Sequence, residues 1–567
     1  MNLNLIIDAL KNPDGYFAST PLSLLCAVFA TMFFIFTVIY SLKHMKGRSG
    51  LWRYYIYILA TFIATLGIFF STTFMLLLVL WGFLGLILYL LIAFGRREGT
   101  PEAARKALVI VGGTDVLMLL GIILIWKLTA GSSGLSGFLS MRIDSAAGIP
   151  LGGTLSIVAY LSLASAAFAK AGAMPFHTWV PDTAENAPIP VTAYLPASLD
   201  KLLGIYFLAR ITLDVFQMTP TMNTILMALG SITIIAAVMM ALVQHDMKRL
   251  LGYHAVSQVG YMVLGLGTGN PVGIAGALFH MFNHSIYKSC LFLSGGVAER
   301  KAGTSDLSKI GGLVKSIPLV FVTFLIASLA ISGVPPMNGF ASKWLIYQGV
   351  INSGGPLWVL WLIIAMFGSA LTLASFMKLI HTVFLGQPSE GVKKVLSEEK
   401  KRVEFSTVVP IMILSILCIG LGVFAWKIPF AECFRPEVRG QLDLPGIWQS
   451  GLATLMIMTG LVIGFLIYLA GTIKKARTVA PFVGGETLEK NPEMRVSGVD
   501  FYKTVKDIGI LKVIYRLADK KLFDLYEVSM KIVAGFGLVF SFMHNGLLSR
   551  YILWCLIGLV VICIVLI

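Results

Sequence analysis

Charge is scarce in this chain. Only 13% of its 567 residues are Asp, Glu, Lys or Arg, about half the share of a soluble globular domain. A water-facing surface cannot be covered from that supply, and with 57% hydrophobic residues and a mean hydropathy of +0.85 the chain reads as a polytopic membrane protein. Acidic residues are rarest, 28 against 44 Lys and Arg, for a net charge of +16. The basic residues fall between apolar runs, where they set orientation, so the excess does not read as nucleic-acid binding. Cysteine is sparse and unpatterned. Cys26, Cys290, Cys418, Cys433, Cys555 and Cys563 form no CxxC spacing, which leaves iron–sulfur clusters and structural zinc without ligands in this chain. Four of them lie in apolar runs and read as small hydrophobes. No GxGxxG or P-loop stands in a strand–helix context. The start, MNLNLIIDALKNPDGYF, lacks a basic n-region, so no cleavable signal peptide is expected.

What is abundant is apolar sequence in lengths of about 20 residues, enough to span a bilayer. Such runs occur at Pro21–Leu42, Tyr54–Ser71, Phe74–Phe94, Ala107–Trp126, Thr154–Gly172, Val191–Ile211 and Thr224–Val243, then at Leu250–Leu266, Val272–Val297, Ile317–Val350 (broken), Leu357–Leu385, Thr407–Trp426, Gly451–Gly471 and Tyr551–Ile567. The expectation is an all-α polytopic membrane protein with about 14 transmembrane helices. Loops after odd-numbered spans are rich in basic residues, such as Lys43, Lys46, Arg48 and Arg53, or Lys393, Lys394, Lys400, Lys401 and Arg402. Loops after even spans hold few (Lys127, Arg142, Arg210, Lys427, Arg435, Arg439). By the positive-inside rule the odd loops are cytoplasmic and both termini face out.

Two five-span blocks follow the first helix, each with a broken fourth span and a lysine at the break. In the first, Lys170 precedes Pro175; in the second, ISGVPPMNGFASK carries Pro335, Pro336 and Lys343. An odd span count reverses the second block, which makes the pair an inverted-topology repeat. The expected divisions are residues 1–53 (N-terminal segment and first span), 54–213 and 223–386 (the two blocks), 405–471 (two further spans), 477–548 (linker and lateral amphipathic helix) and 551–567 (final anchor). In the lateral segment Ile510, Val513, Ile514, Leu517, Leu522 and Leu525 recur at helical spacing with charges between, as in a helix lying along a membrane face. A solvated helical tail has the same periodicity.

A charge inside a membrane span is costly unless paired or wetted, and marks a functional candidate. Lys170 stands at the end of an apolar run, and Asp200 and Lys201 lie in the next. A snorkelling lysine beside a re-entrant loop is the alternative. Asp115 in VGGTDVLMLLG serves equally as a helix cap, and Lys248 in ALVQHDMKRLLGYHAVSQVGYM, between two spans, is by pattern alone read first as a cytoplasmic loop lysine. The strongest pattern is LFHMFNHSIYKSCLFLSGG, where His280, His284 and Lys288 at i, i+4, i+8 line one helix face. Histidine titrates near neutral pH, and lysine does so when desolvated, so the three make a row of proton stations. HxxxH also suits a helix-borne metal, but no third ligand is evident.

These motifs have a counterpart. KAGAMPFHTWVPD, ALVQHDMKRLLGYHAVSQVGYM, FHMFNHSIYKSCLFLSGG and GFASK together resemble the antiporter-like membrane subunits of respiratory complex I and its relatives: membrane-bound hydrogenases, formate hydrogenlyase-type complexes and Mrp-type antiporters. The resemblance is strong over Leu51–Leu385 and looser beyond. The lateral helix and anchor resemble those of the distal, largest such subunit, and PASLDKLLGIY, PFVGGE and DFY resemble hydrogenase-type complexes more than ordinary complex I. The resemblance implies that Lys170 is the lysine of a first half-channel and Lys343 that of a second. Lys248, His280, His284 and Lys288 would be stations on the axis joining them, and Asp115 matches an acidic family residue. Two positions depart from the pattern. Gly82 in LLLVLWGFLGLILYLL stands where the family carries a glutamate paired with the first lysine, and Pro196 where complex I relatives often carry histidine. Asp200 is the first candidate to replace that glutamate, and Asp115 the second.

The implied function is translocation of protons, or exchange of sodium for protons, driven by a soluble redox module that carries iron–sulfur clusters and possibly nickel–iron. This chain would hold no cofactor itself. It would sit in the cell membrane among other membrane subunits, further antiporter-like ones included, with the lateral helix on the cytoplasmic face. The alternatives are an Mrp-type antiporter subunit with no redox partner, a structural subunit whose channel has decayed (prompted by Gly82), and a subunit of an inorganic-carbon uptake system with a soluble zinc partner.

Overall fold

The computed structural model describes residues 13–130, 134–389, 391–394, 404–425, 450–470, 498–544 and 546–566. Cys433, the PFVGGE linker, and the basic residues Lys400, Lys401, Arg402, Lys427, Arg435, Arg439, Lys474, Lys475 and Arg477 lie outside them. The chain divides into two compact units, Met1–Thr504 and Val505–Ile567.

The first unit is a helical bundle. Helix α1 (Pro21–His44) starts at Thr20, whose side chain accepts from the Ser23 amide, and α2 (Leu51–Phe70) follows. Helix α3 (Phe74–Ile92) is capped in the same way by Thr73, a bond that satisfies one of the orphan amides of a helix start. Helices α4 (Thr100–Ala130) and α5 (Thr154–Ala171) come next. Helix α5 stops at Gly172, in the left-handed conformation at φ 77° and ψ 38°, and the chain passes Pro175 before α6 (Trp179–Asn186).

The following helix is interrupted in its turn: α7 (Ile189–Tyr194), a π turn at Leu195–Leu199, then α8 (Asp200–Arg210). Pro196 explains the π turn, because it offers no amide and its ring collides with the carbonyl a turn earlier. The Ser198 hydroxyl compensates, within 2.8 Å of the Ala193 carbonyl oxygen and 2.7 Å of that of Tyr194.

Then come α9 (Pro220–Leu242), α10 (Met247–Gly267) and α11 (Pro271–Ala302). The second break repeats the first: α12 (Pro318–Ser332) ends at Gly333 with φ 79° and ψ 37°, the chain passes Pro335 and Pro336, and α13 (Asn338–Asn352) begins. Helix α14 (Trp358–Ile380) runs on through a π turn at His381–Leu385, and α15 (Phe405–Val423) and α16 (Ser450–Ala470) complete the unit. A two-residue parallel pair, Ile149–Pro150 with Phe216–Gln217, is the only sheet among the described residues.

In lipid, apolar burial does not hold helices together; close backbone packing does. Helices α9 and α10 show it. A Cβ added at Gly260 would lie 2.6 Å from the Gly230 carbonyl oxygen and 2.7 Å from the Ile234 amide, and one at Gly230 would lie 2.5 Å from the Leu264 amide.

Nine helices among the described residues are long and apolar enough to cross a membrane. Eight coincide with expected spans. Of the expected spans that fall short, those at α7–α8, α10, α11 and α12–α13 are the ones that carry Asp200 and Lys201, Lys248, the His280–Lys288 row and Lys343. Their polar cargo and breaks lower the hydropathy that defines a span.

The loops separate into two sets. Those after α3 and α9 meet the ends of α6 and α11 through Arg97, Glu185, Asp246 and Glu299, and Lys43 in the last turn of α1 pairs with Glu404 before α15 at 2.7 Å. The complementary set is tied by backbone bonds, Ile143 amide to Thr72 carbonyl and Phe74 amide to Met141 carbonyl, and by Arg210, which reaches Asp144 and Asp214.

The second unit corrects one expectation. The single lateral helix is two helices, α17 (Gly509–Asp519) and α18 (Leu525–Met543), before the last helix α19 (Leu548–Leu566). Lys521 adopts a left-handed φ of 57°, which stops α17, and the Asp524 side chain accepts from the Tyr526 amide to start α18. Leu522 therefore belongs to neither helix. Helix α18, expected as part of a surface segment, is itself apolar enough to count among the nine candidate spans; after Lys531 it carries no charge.

Candidate functional site

Two buried clusters flank the two helix breaks, and α11 runs between them. The first is built by a backbone contact. A Cβ at Gly204 would lie 2.5 Å from the Ala171 amide, so α8 presses directly on the end of α5. That contact sets Asp200, one turn earlier on α8, beside Lys170, next to Ala171 on α5. Lys170 and Lys201 are fully buried, and Asp200 is 1% exposed. The Lys170 ammonium lies over the Trp81 ring at 5.4 Å and that of Lys201 over Trp179 at 5.7 Å. Neither makes a direct hydrogen bond, and Asp200 Oδ2 also has no partner. The carboxylates whose charge reaches Lys170 are Asp200 first and Asp115 second.

Asp115 has a definite place. Its Oδ2 lies 3.7 Å from the point where a Cβ on Gly82 would stand, and equally 3.7 Å from that on Gly85. The carboxylate borne by α4 thus lies at ordinary van der Waals distance from where a side chain on α3 would begin. The two substitutes named for the missing glutamate are both in the cluster.

The second cluster contains no acid among the described residues. Lys343 on α13 is 1% exposed. Its Nζ donates to the Ile331 carbonyl at 2.9 Å and to Ser369 Oγ at 3.1 Å, and lies 4.5 Å from the centre of the Tyr261 ring. Ile331 is in the last turn of α12, where the break at Gly333 leaves carbonyls unpaired and the helix end carries partial negative charge. The broken helix is therefore the counter-charge of this lysine. Ser369 is shared with the hydroxyls of Tyr261 (2.9 Å) and Tyr347 (2.6 Å).

Between the clusters, His280, His284 and Lys288 are all fully buried on α11. His280 is anchored through both nitrogens, Nδ1 to Ser342 Oγ at 2.8 Å and Nε2 to Gln258 Oε1 at 3.1 Å; Ser342 directly precedes Lys343. Neither nitrogen of His284 has a hydrogen-bond partner, nor has the Lys288 ammonium, which lies near the rings of Phe292 (5.6 Å) and Phe376 (5.9 Å). Lys201 acts electrostatically on both His284 and Lys288, and Lys343 on His280. A series of mutually interacting groups thus runs Asp115, Lys170, Asp200, Lys201, then Lys288 and His284, His280 and Lys343. Adjacent like charges in low dielectric resist simultaneous ionisation, so adding a proton at one member changes the cost of holding it at the next.

Lys248 does not join this row. It pairs with Glu299 at 3.3 Å, and Glu299 lies eleven residues beyond Lys288 on α11, about 16 Å along a helix. It belongs to the loop network, where Arg97 meets Asp246 at 3.0 Å and Glu299 at 3.1 Å, Arg249 meets Asp182 and Glu185 at 2.8 Å, and Lys106 meets Asp182 at 2.7 Å. Asp246 also caps α10, accepting from the Lys248 and Arg249 amides.

Two buried residues were not singled out from the sequence. His254 on α10 shares a 2.7 Å hydrogen bond, through Nε2, with Ser375 Oγ, and Lys378 on α14 is fully buried. Lys378 had a legible signal, a cation inside the apolar run Leu357–Leu385; His254 lay inside a quoted motif without a spacing partner.

The fold and this buried row define a class: a helical membrane protein with titratable groups lined across its interior. The family is narrower. Residues 71–372, more than half of the chain, match the model for the NADH:quinone oxidoreductase/Mrp antiporter transmembrane family, and the chain belongs to that family. Among its relatives, the Na(+)/H(+) antiporter subunit A1 of Staphylococcus epidermidis is 30% identical over 446 residues, which cover 75% of this chain and 53% of the relative. The chloroplastic NAD(P)H-quinone oxidoreductase subunit 5 of Nephroselmis olivacea is 28% identical over 472 residues, 81% of this chain and 70% of the relative. The chain spans about half the length of the antiporter relatives it matches. A chain of the membrane-bound sulfane sulfur reductase, an archaeal respiratory membrane complex, superposes with a TM-score of 0.78 at 25% identity, covering 96% of this chain and 89% of that one. A chain of the Mrp complex from Dietzia sp. shares the fold, with a TM-score of 0.67 at 22% identity, covering 75% of this chain and 84% of that one.

Proposed function

We propose that this chain is the ion-translocating membrane subunit of a complex I-related, redox-driven pump, moving protons or exchanging sodium for protons. The observation that carries the reading is the continuous electrostatic series from Asp115 to Lys343, two buried clusters at two broken helices joined by a third helix. A transporter needs groups that change charge in turn, and these are buried, titratable and mutually coupled. Fourteen spans, ten of them in two inverted five-helix blocks, with both termini outside and α17 on the cytoplasmic face, form the architecture of this reading. The like treatment of Gly172 and Gly333 supports it. The redox chemistry belongs to a soluble module with iron–sulfur clusters, with or without nickel–iron, bound with further membrane subunits in the cell membrane. The respiratory complex that matches 96% of this chain favours a redox partner. The second reading, an antiporter without one, rests on the relatives named as Na(+)/H(+) antiporter subunits. Purification of the native complex with identification of its soluble subunits separates the two: iron–sulfur proteins support the first, their absence the second.

The reading has a local consequence. Asp200→Asn leaves Lys170 and Lys201 as two buried cations without their nearest carboxylate, and transport in vesicles should fall by about tenfold or more. Asp115→Asn should have a smaller effect, since its charge reaches Lys170 less strongly. Equal wild-type transport in both variants would remove the acids from the path.

A further inference from the structure

Helices α10 and α14 run antiparallel, with polar contacts at two levels of their seam and a third where α14 meets the end of α9 and the loop before α10. At the first, the Tyr261 hydroxyl meets Ser369, which also receives Lys343. At the second, seven residues back along α10 and six onward along α14, His254 Nε2 meets Ser375 Oγ. The two steps are about 10 Å and 9 Å at helical rise, so the levels are in register. At the third, Lys378, one turn beyond Ser375 on the same face of α14, donates to the carbonyls of Leu242 at 2.8 Å and Gln244 at 3.1 Å. Leu242 ends α9, and the Gln244–Asp246 loop that follows opens into the Arg97 network at the membrane face. His254, Ser375 and Lys378 are all fully buried, and His254 Nδ1 has no hydrogen-bond partner. His254 packs on the Phe376 ring at 4.8 Å, the ring that Lys288 also approaches at 5.9 Å. The seam thus touches the central row at its inner end and the loop face at its outer end.

We propose that His254, Ser375 and Lys378 form a proton branch that connects the central row at Lys288 to the membrane face at Gln244–Asp246. This rests on the reading that the row itself carries protons. The proton leaves the Lys288 ammonium and bonds His254 Nδ1, with water filling the gaps between side chains. The imidazolium gives its Nε2 proton to Ser375 Oγ, whose own proton passes to the neutral Lys378 amine. The resulting ammonium releases a proton at the face. Each N–H or O–H bond broken is matched by one formed, and the only net charge in motion is the proton.

The plain alternative for Lys378 is a helix C-cap, a cation satisfying the last carbonyls of α9. Lys378→Arg separates the two roles, because arginine can cap carbonyls but does not give up its proton in a protein. His254→Gln keeps a donor and acceptor for Ser375 without titration. In membrane vesicles holding the native complex, both variants should assemble with unchanged thermal stability and lose transport by about tenfold or more. Wild-type transport in Lys378→Arg would reduce that residue to a cap and overturn the branch, as would wild-type transport in His254→Gln. Should either fail to assemble, the other decides. Lys343→Ala run alongside keeps the readings apart: if it stops transport while the two branch variants transport fully, only the branch falls; if it too transports fully, the reading of the row falls.

Discussion

Lys343→Ala is expected to lower coupled ion transport by about a hundredfold or more while the complex still assembles. Both halves of that expectation come from its contacts. No acid among the described residues faces Lys343, so its removal strands no buried counter-charge, the usual reason that cutting a buried pair unfolds a protein. The Ile331 carbonyl loses a donor, a cost of about 1–3 kcal/mol, and Ser369 keeps the hydroxyls of Tyr261 and Tyr347. The second cluster then has no group to take a proton from His280. Lys170→Ala should stop transport as well, but less quietly, because Asp200 would be left with Lys201 alone and Asp115 would lose the cation whose charge reaches it. Transport assayed in vesicles, with subunit content checked on native gels, tests both. Undiminished pumping by the two variants would refute the row.

Gly260→Val is expected to prevent folding of the bundle rather than to impair transport. The added carbons would meet backbone on the opposite helix, the Gly230 oxygen and the Ile234 amide, each within 2.7 Å of the first of them. Backbone cannot rotate away as a side chain can, so the helices must separate. Overpacking typically costs about 1–3 kcal/mol and occasionally more; here the contact is between helix axes, and the loss should lie at or beyond the upper end. α10 carries His254 and Tyr261, and the loop joining α9 to α10 carries Gln244 and Asp246, so their separation would dismantle the seam and the loop network together. The measurement is the yield of monodisperse protein and its melting temperature in detergent, with Gly260→Ala as the milder step. A Gly260→Val protein as stable as wild type would show that this crossing is not what holds the bundle.

The sequence yielded what is encoded locally. Apolar runs marked the helices, Gly172–Pro175 and Gly333–Pro336 marked the breaks, and a spacing of four placed His280, His284 and Lys288 on one face. Facts of helix adjacency were not legible. Nothing within α10 says that Lys248 turns toward Glu299 while His254 turns toward Ser375. The nearness of Gly82 to Asp115 depends on α3 packing against α4, which periodicity does not specify. The lateral segment failed for another reason. Its apolar repeat runs through Leu522 and Leu525 without a break, but the left-handed turn at Lys521 is carried by a residue that rarely adopts it, and no glycine or proline announced the stop.

The loop network also limits how the molecule can work. Arg97 from the first block holds Asp246 and Glu299 from the second, and Arg249 from the second holds Asp182 and Glu185 from the first. Transporters that rock two halves about a central site must part them on each side in turn. Parting these halves here would break at least four ion pairs at once. On that side the two blocks are tied as one frame, and on the proposed reading what moves through it is charge rather than a domain: single side chains and water would rearrange inside walls that stay where they are.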